Sequence, residues 1–496
     1  MNKNYINKPI FTLSLVAAAL FASQGAFANY VEQGKVGDKA SWETKEYQAD
    51  WGLTAMKASS AYALGFHGQN AKVAVMDSGA LLSHPDLDSD RIHAVKASGE
   101  YGSTGMRYPQ ENGGHYEKGQ KFDVDGDWIA GVNDTHGTHV TGTVGANRDG
   151  NEMHGVAWGA DVFSGNTGGT DSSNYGPYHD YQYFYTGWKA IVDTGAQVIN
   201  NSWGTNTRTV FNEKNATPAI GADGEVLKNS RGNPIYVPGK DGFETKGHLQ
   251  VDTTAQTEYE YYYFKKVYGD APSFVDAAYD AVKGTGVVQV ITTGNRDFAQ
   301  PYYRPLYPYF NPEAEKHWVA VAGLKQSEDK GQYELVKQFN EAGNAKWWTV
   351  VAPGWGIQSS IVNEDGTAGW DSFSGTSMAA PHVTCAMGVL LSRYQDMDGT
   401  QVRDVMFTTA NHTNTDGSDF KDWTAAEGVP DERYGWGVPD LEKGMFGPGQ
   451  FLGQFTYTMA TTPLDVWSND ITPNALDARG KEELAWLAAY KEKGIQ

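Results

Sequence analysis

Three residues that could together run nucleophilic chemistry lie far apart in this chain, each in a run of small neighbours. They are Asp77 in VAVMDSGA, His136 in NDTHGTHVTGTVGA and Ser377 in FSGTSMAAPHV. A serine hydroxyl attacks only when a base takes its proton, and the base works best when a carboxylate fixes its tautomer and supports its charge. The oxygen of the attacked carbonyl also needs a donor, and Asn295 in ITTGN offers a side-chain amide. Ser377 opens an apolar stretch, Met378 to Leu391, that reads as a helix, so it stands at the positive helix end. Each residue also has an ordinary reading. Gly-Thr-Ser is a common helix N-cap, Asp77 and Asn295 suit caps and turns, and His136 suits a core. The chemical reading rests on their joint occurrence in this order.

Such side chains need elements that hold them still. AKVAVMD (71–77), AQVINNSWG (196–204), GVVQVITTGN (286–295), WVAVAGL (318–324) and WWTVVAPG (347–354) predict buried strands, most ending in Gly, Asn or Asp. Residues 180–194, 272–284 and 136–146 predict helices. Strand and helix in alternation imply an α/β fold of three layers, a mainly parallel central sheet with helices on both faces. Sites in such sheets collect at the carboxyl ends of strands, where Asp77, Ser202 and Asn295 all fall. Residues 205–270 are polar and rich in Gly, Lys and Tyr and read as an insertion, with YEYYYFKKVYGD as a packed or half-buried strand. After Met445 the composition shifts, and GKEELAWLAAYKEKG near the end reads as a short amphipathic helix.

At 496 residues, with 40% hydrophobic and 20% charged, the chain can bury a large core. A net charge of −21 argues against nucleic acid or anionic membrane as partner, since both need basic patches. The N-terminus has Lys3 and Lys8, an apolar stretch from Ile10 to Ala22 and Ala26-Phe27-Ala28, the pattern of an export signal cleaved after Ala28. No other stretch reaches the ~18 apolar residues that span a bilayer. The single cysteine, Cys385, leaves no intramolecular disulfide and reads as a buried, inert thiol.

Taken together, the three stretches resemble the D-[ST]-G, H-G-T-H-V and G-T-S-M-A-x-P signatures of the subtilisin-like serine peptidases, or subtilases, with similarity across roughly residues 48–445. The resemblance implies a subtilisin-like fold and a secreted serine endopeptidase working through an acyl-enzyme. It makes Ser377 the nucleophile, His136 the base, Asp77 its orienting acid and Asn295 the oxyanion donor beside the Ser377 N–H. His139, the second histidine of the motif, is then structural. INNSWG resembles the strand that pairs with extended substrate, which implies substrate-binding roles for Ser202, Trp203 and Gly204, with Trp203 placed to narrow or cover the first pocket. SHPDL (83–87) and RYGWGVPDL (433–441) match structural features of the family. No cofactor is required for the chemistry. Structural calcium is common in the family, and DVDGD (123–127) has alternating carboxylates, but it lacks a full calcium loop and reads better as a polar turn. No metal ligand is assigned.

The expected organisation is a signal peptide (1–28), a short extension (29–47), the peptidase domain (48–445) and a C-terminal extension (446–496). Roughly 20 residues between Ala28 and Trp51 leave no room for a domain-sized propeptide. That arrangement resembles the autotransporter subtilases of Gram-negative bacteria, whose passengers continue into a stalk and a barrel. Here the chain reads as a truncated passenger or an incomplete reading frame, with the protein secreted, at the cell surface or in the periplasm. Its partners are protein or peptide substrates, with no nucleic acid and no integral membrane segment after signal removal. The rival readings are a catalytically silent adhesin on the same scaffold, or a truncated autotransporter relic. A lipase or esterase is a poorer match: it expects Gly-x-Ser-x-Gly and the order Ser, Asp, His.

Overall fold

The computed structural model describes residues 34–87, 90–106, 114–169, 180–203, 271–329, 331–426 and 428–447, with short pieces of 204–270. The expected leader, Gly204, the tyrosine run and the C-terminal helix lie outside the described residues. Eight strands make the central sheet: β1 (Lys72–Asp77), β2 (Ile92–Ala94), β3 (Asp161–Asn166), β4 (Val198–Asn201), β5 (Val288–Thr292), β6 (Trp318–Gln326), β7 (Tyr333–Leu335) and β8 (Thr349–Pro353). Their order is β7-β6-β5-β4-β1-β3-β2, with β8 also paired to β6. All pairs are parallel except β6 with β7. From β1 the sheet grows to one side through β3 and to the other through β4. That makes the end of β1 a switch point, where a crevice opens.

The sequence dictates this burial directly. Alternate side chains of a strand face opposite sides, yet Val73, Ala74, Val75 and Met76 are all buried. Both faces of β1 are therefore covered. On one, Gly388 of α7 (Thr376–Arg393) lies against Val73; on the other, Gly187 of α5 (Tyr181–Asp193) lies against Met76. Asp77 continues the face of Val73 and Val75, toward α7.

Other helices include α1 (Lys45–Ala49), α2 (Trp51–Ala55), α3 (Ala58–Ala63), α4 (His136–Gly145), α6 (Phe274–Val282) and α8 (Gly399–Thr409). Several helix starts carry side-chain caps. Asp180 accepts from the Tyr183 N–H at 2.7 Å, and Ser273 and Asp276 form a reciprocal capping box before α6. A hairpin of β9 (Ile357–Val362) and β10 (Ala368–Phe373) leads into α7.

Strands β2, β3 and β7 and the packing of the N-terminal extension were not foreseen. Strand β3 was missed because DVFSGN is polar and glycine-containing; Gly165 is there because Ile191 and Met76 crowd it. The described part of the N-terminal extension also packs into the common core, through Trp42 and Tyr47. It meets the far end of the domain, where Lys39 pairs with Glu442 at 3.7 Å; just after it in the chain, the Met56 carbonyl accepts the Leu441 N–H and Lys57 pairs with Asp440 at 2.7 Å. Among the described residues no helix is long and apolar enough to cross a membrane.

Candidate active site

The carboxylate and the imidazole meet at the switch point. Asp77, at the end of β1 and 1% exposed, accepts from His136 Nδ1 through Oδ1 at 2.8 Å. The same oxygen accepts the Ser78 N–H at 2.8 Å. A carboxylate can only accept here, so Nδ1 carries the hydrogen and Nε2 is the basic nitrogen.

His136 is the first residue of α4, and the Asp-Ser-Gly loop holds that helix start. The Ser78 hydroxyl accepts the Gly137 N–H at 2.9 Å and donates to Asp134 at 2.7 Å. Asp134 in turn accepts the His136 N–H at 3.1 Å. Position 137 must be glycine, because a Cβ there would run into the Gly79 carbonyl.

Ser377 comes from the opposite side, in the first turn of α7. Pro381 has no N–H, so the Ser377 carbonyl loses the helical donor it would otherwise have four residues on. The Ser202 hydroxyl replaces it at 2.7 Å, and the Ser377 hydroxyl donates to the Ser202 carbonyl at 2.6 Å. This reciprocal bracket ties Ser377 to the residue that follows β4. It also engages the one hydrogen of the Ser377 hydroxyl. Ser202 Oγ further accepts from Asn200 at 2.9 Å. Ser202→Ala therefore strands two buried polar groups and is expected to lower stability by about 1–3 kcal/mol. An unchanged urea midpoint would remove this role for the hydroxyl.

Asn295 follows β5 and is exposed. Its Oδ1 accepts the Thr376 N–H at 2.9 Å and the Thr376 hydroxyl at 3.0 Å, which turns Nδ2 the other way. A methyl placed on Gly375 would lie 3.5 Å from both Asn295 Nδ2 and the Ser377 nitrogen, so the two donors border one small volume. Asn340, which the sequence did not single out, holds this loop. Its N–H donates to the Gly294 carbonyl, its carbonyl accepts the Thr293 hydroxyl, and its side chain accepts the Arg296 N–H.

Other expectations resolve as follows. His139 is fully buried, bonds the Ile357 carbonyl through Nε2 at 3.0 Å and stacks on Phe373. Burial and the neighbouring His136 push its pKa down to about 3, so it stays neutral. Trp203 does not narrow a pocket with its ring. Its indole is buried against Trp188 and Phe274 and donates to the Met76 carbonyl at 2.7 Å, while its own carbonyl accepts from Arg304 at 2.6 Å. Cys385 is buried, and burial raises its thiol well above the ordinary value. In SHPDL, Asp86 accepts from Trp370 and Ser360, and His84 bonds the Gly369 carbonyl, which pins the hairpin leading to Ser377. The acidic side chains of 123–127 have partners within the protein. Asp123 accepts from Ser98, Asp125 pairs with Lys96, and Asp127 caps its own turn. Among the described residues no group of three His, Cys, Asp or Glu is gathered as a metal would require.

Asp77, His136, Ser377 and Asn295 thus gather around the carboxyl ends of β1, β4 and β5, and residues 68–437 match the subtilase family. The chain belongs to the subtilase family. Among its subtilase relatives, an extracellular serine protease of Serratia marcescens is 28% identical over 448 residues, covering 86% of this chain and 36% of its own length. The Neisserial autotransporter lipoprotein NalP of Neisseria meningitidis is 24% identical over 79% of this chain and 34% of its own. Subtilisin E of Bacillus subtilis is 25% identical over 82% of this chain and 76% of its own. This subtilase therefore spans about a third of the length of the Serratia and Neisseria proteins it matches.

Proposed function

We propose that the chain is a secreted serine endopeptidase that hydrolyses peptide bonds through Asp77, His136 and Ser377. The observation that carries this reading is the Asp77–His136 hydrogen bond at 2.8 Å, at the start of a helix that packs against the one Ser377 opens. An extended substrate is taken to pair, strand-like, with the segment that begins at Ser202 and Trp203 after β4; Gly204, the third residue expected there, lies outside the described residues. The Ser377 hydroxyl leaves the Ser202 carbonyl and attacks the scissile carbonyl while His136 Nε2 takes its proton. Asp77 stabilises the imidazolium that forms, and Asn295 Nδ2 with the Ser377 N–H receives the developing oxyanion. His136 returns the proton to the departing amine. Water, activated by the same nitrogen, then releases the acyl group.

The extracellular protease and autotransporter relatives, with the export-type N-terminus, support action outside the cytoplasm of a Gram-negative bacterium. The test is incubation of the exported protein with casein and with a fluorophosphonate probe. Cleavage with labelling of a single serine is expected; a folded protein that does neither is the catalytically silent scaffold instead. Asn295→Ala is expected to lower kcat about 10²–10³-fold with little change in KM, the scale that the same kind of loss has in subtilisin. A kcat within a few-fold of wild type would remove Asn295 from the oxyanion site.

A further inference from the structure

The first turn of α7 cannot hold itself. Gly375 gives no side-chain cap, and Pro381 withdraws the donor for the Ser377 carbonyl. Three successive residues are fastened by side chains instead. Thr376 is held by Asn295, Ser377 by Ser202, and the Met378 carbonyl by Nδ1 of His382 at 2.8 Å. Of these three fasteners, only His382 belongs to α7 itself, and it is anchored in turn. Its Nε2 bonds Asp50 Oδ2 at 2.9 Å, while Asp50 Oδ1 accepts the Gly52 N–H at 2.8 Å and so caps α2. His382 is 0% exposed and Asp50 1%.

We propose that Asp50 and His382 form a positioning pair, in which the N-terminal segment holds His382 as an imidazolium and thereby fixes the helical turn that carries Ser377. This inference rests on the peptidase reading above. The protonation state follows from the partners. The Met378 carbonyl can only accept, so Nδ1 carries a hydrogen; the Asp50 carboxylate accepts on the other side, so Nε2 carries one as well. Burial alone lowers the His382 pKa, but the Asp50 charge, its hydrogen bond and the backbone carbonyls of Met378 and Pro353 outweigh it and raise the pKa above the ordinary value. The other titratable side chains whose charge Asp50 touches are His139, held neutral, Tyr62 and Cys385.

A buried ion pair is a poor way to gain stability, because desolvation offsets most of the attraction. What it supplies is a fixed geometry. The contact is also built closely: a Cβ on Gly52 would overlap the His382 ring. The segment has independent anchors, Glu46 on the amides of Asp149 and Gly150 and Lys57 on Asp440, so it stays docked when Asp50 is neutralised.

The experiment uses the full chain and two readouts. In ¹⁵N-histidine spectra, with His382→Gln used for assignment, wild type at pH 7.5 is expected to show both His382 nitrogens protonated, and Asp50→Asn a neutral ring. Acylation by the fluorophosphonate is expected to slow about 10-fold or more in Asp50→Asn, with KM for a peptide substrate changed less than about twofold, since displacing the nucleophile costs turnover rather than binding. Gly52→Ala, which displaces the ring without altering charge, is expected to slow acylation in the same way. A neutral His382 in wild type overturns the proposal. So does a folded Asp50→Asn variant that is acylated at the wild-type rate. Wild type that is never acylated defeats the peptidase reading and the positioning role with it, whereas the spectra judge the charged pair alone.

Discussion

Ser377→Ala is expected to abolish casein hydrolysis and fluorophosphonate labelling together, with kcat falling about 10⁶-fold, the scale that homologous subtilisin shows for this loss. The reason is positional. Alanine leaves no hydroxyl at the start of α7, beside the Asn295 Nδ2 and Ser377 N–H donors, to attack a carbonyl. Folding should hardly notice. The hydroxyl makes one protein hydrogen bond, to the Ser202 carbonyl, and such a bond is worth about 0.5–1.5 kcal/mol. The reverse bond, from the Ser202 hydroxyl to the Ser377 backbone, survives the substitution. Kinetics, intact-mass labelling and a urea melt on the same preparation check all three points. Covalent labelling of the variant at the wild-type rate would move the nucleophile elsewhere.

Asp77→Asn is expected to lower kcat by about 10⁴-fold while leaving the fold in place. Asp77 Oδ1 serves both His136 Nδ1 and the Ser78 N–H, whereas Oδ2 is buried with no hydrogen-bond partner among the described residues. An asparagine therefore has two poor choices. With its oxygen at the Oδ1 position it keeps both bonds but buries an amide N–H₂ without an acceptor and offers no charge to the imidazolium. Turned over, it sets N–H₂ against the Ser78 N–H and forces the His136 hydrogen onto Nε2, where the base must be bare. Steady-state kinetics give the size of the loss, and ¹⁵N-histidine shifts of His136 tell the two orientations apart. A kcat within about tenfold of wild type would mean that neither the charge nor the tautomer matters.

Much of the sheet was legible because parallel strands buried on both faces are continuous apolar runs, and β1, β4, β5, β6 and β8 all read that way. Strand β3 did not, because its polar and glycine residues answer to neighbours, Ile191 and Met76, that are remote in sequence. Ser202 was placed at a strand end correctly, but what its side chain does depends on Pro381, which removes a donor from a helix far along the chain. Trp203 was misjudged for the opposite reason. A tryptophan after a strand can line a crevice or fill a core, and only the packing of Trp188 and Phe274 decides which.

By itself, then, the sequence determined the fold class, the order Asp77, His136, Ser377 and the residue types for acyl transfer, because short motifs carry both the reactive group and the small neighbours that let backbones approach. Tertiary structure alone decided which atoms meet. Asp50 and His382 are 332 positions apart, and Asn340 lies 47 from the Thr293 hydroxyl it accepts. Hydrogen bonds between such residues leave no local period or spacing, since each partner is chosen by a packed neighbour rather than by the chain around it.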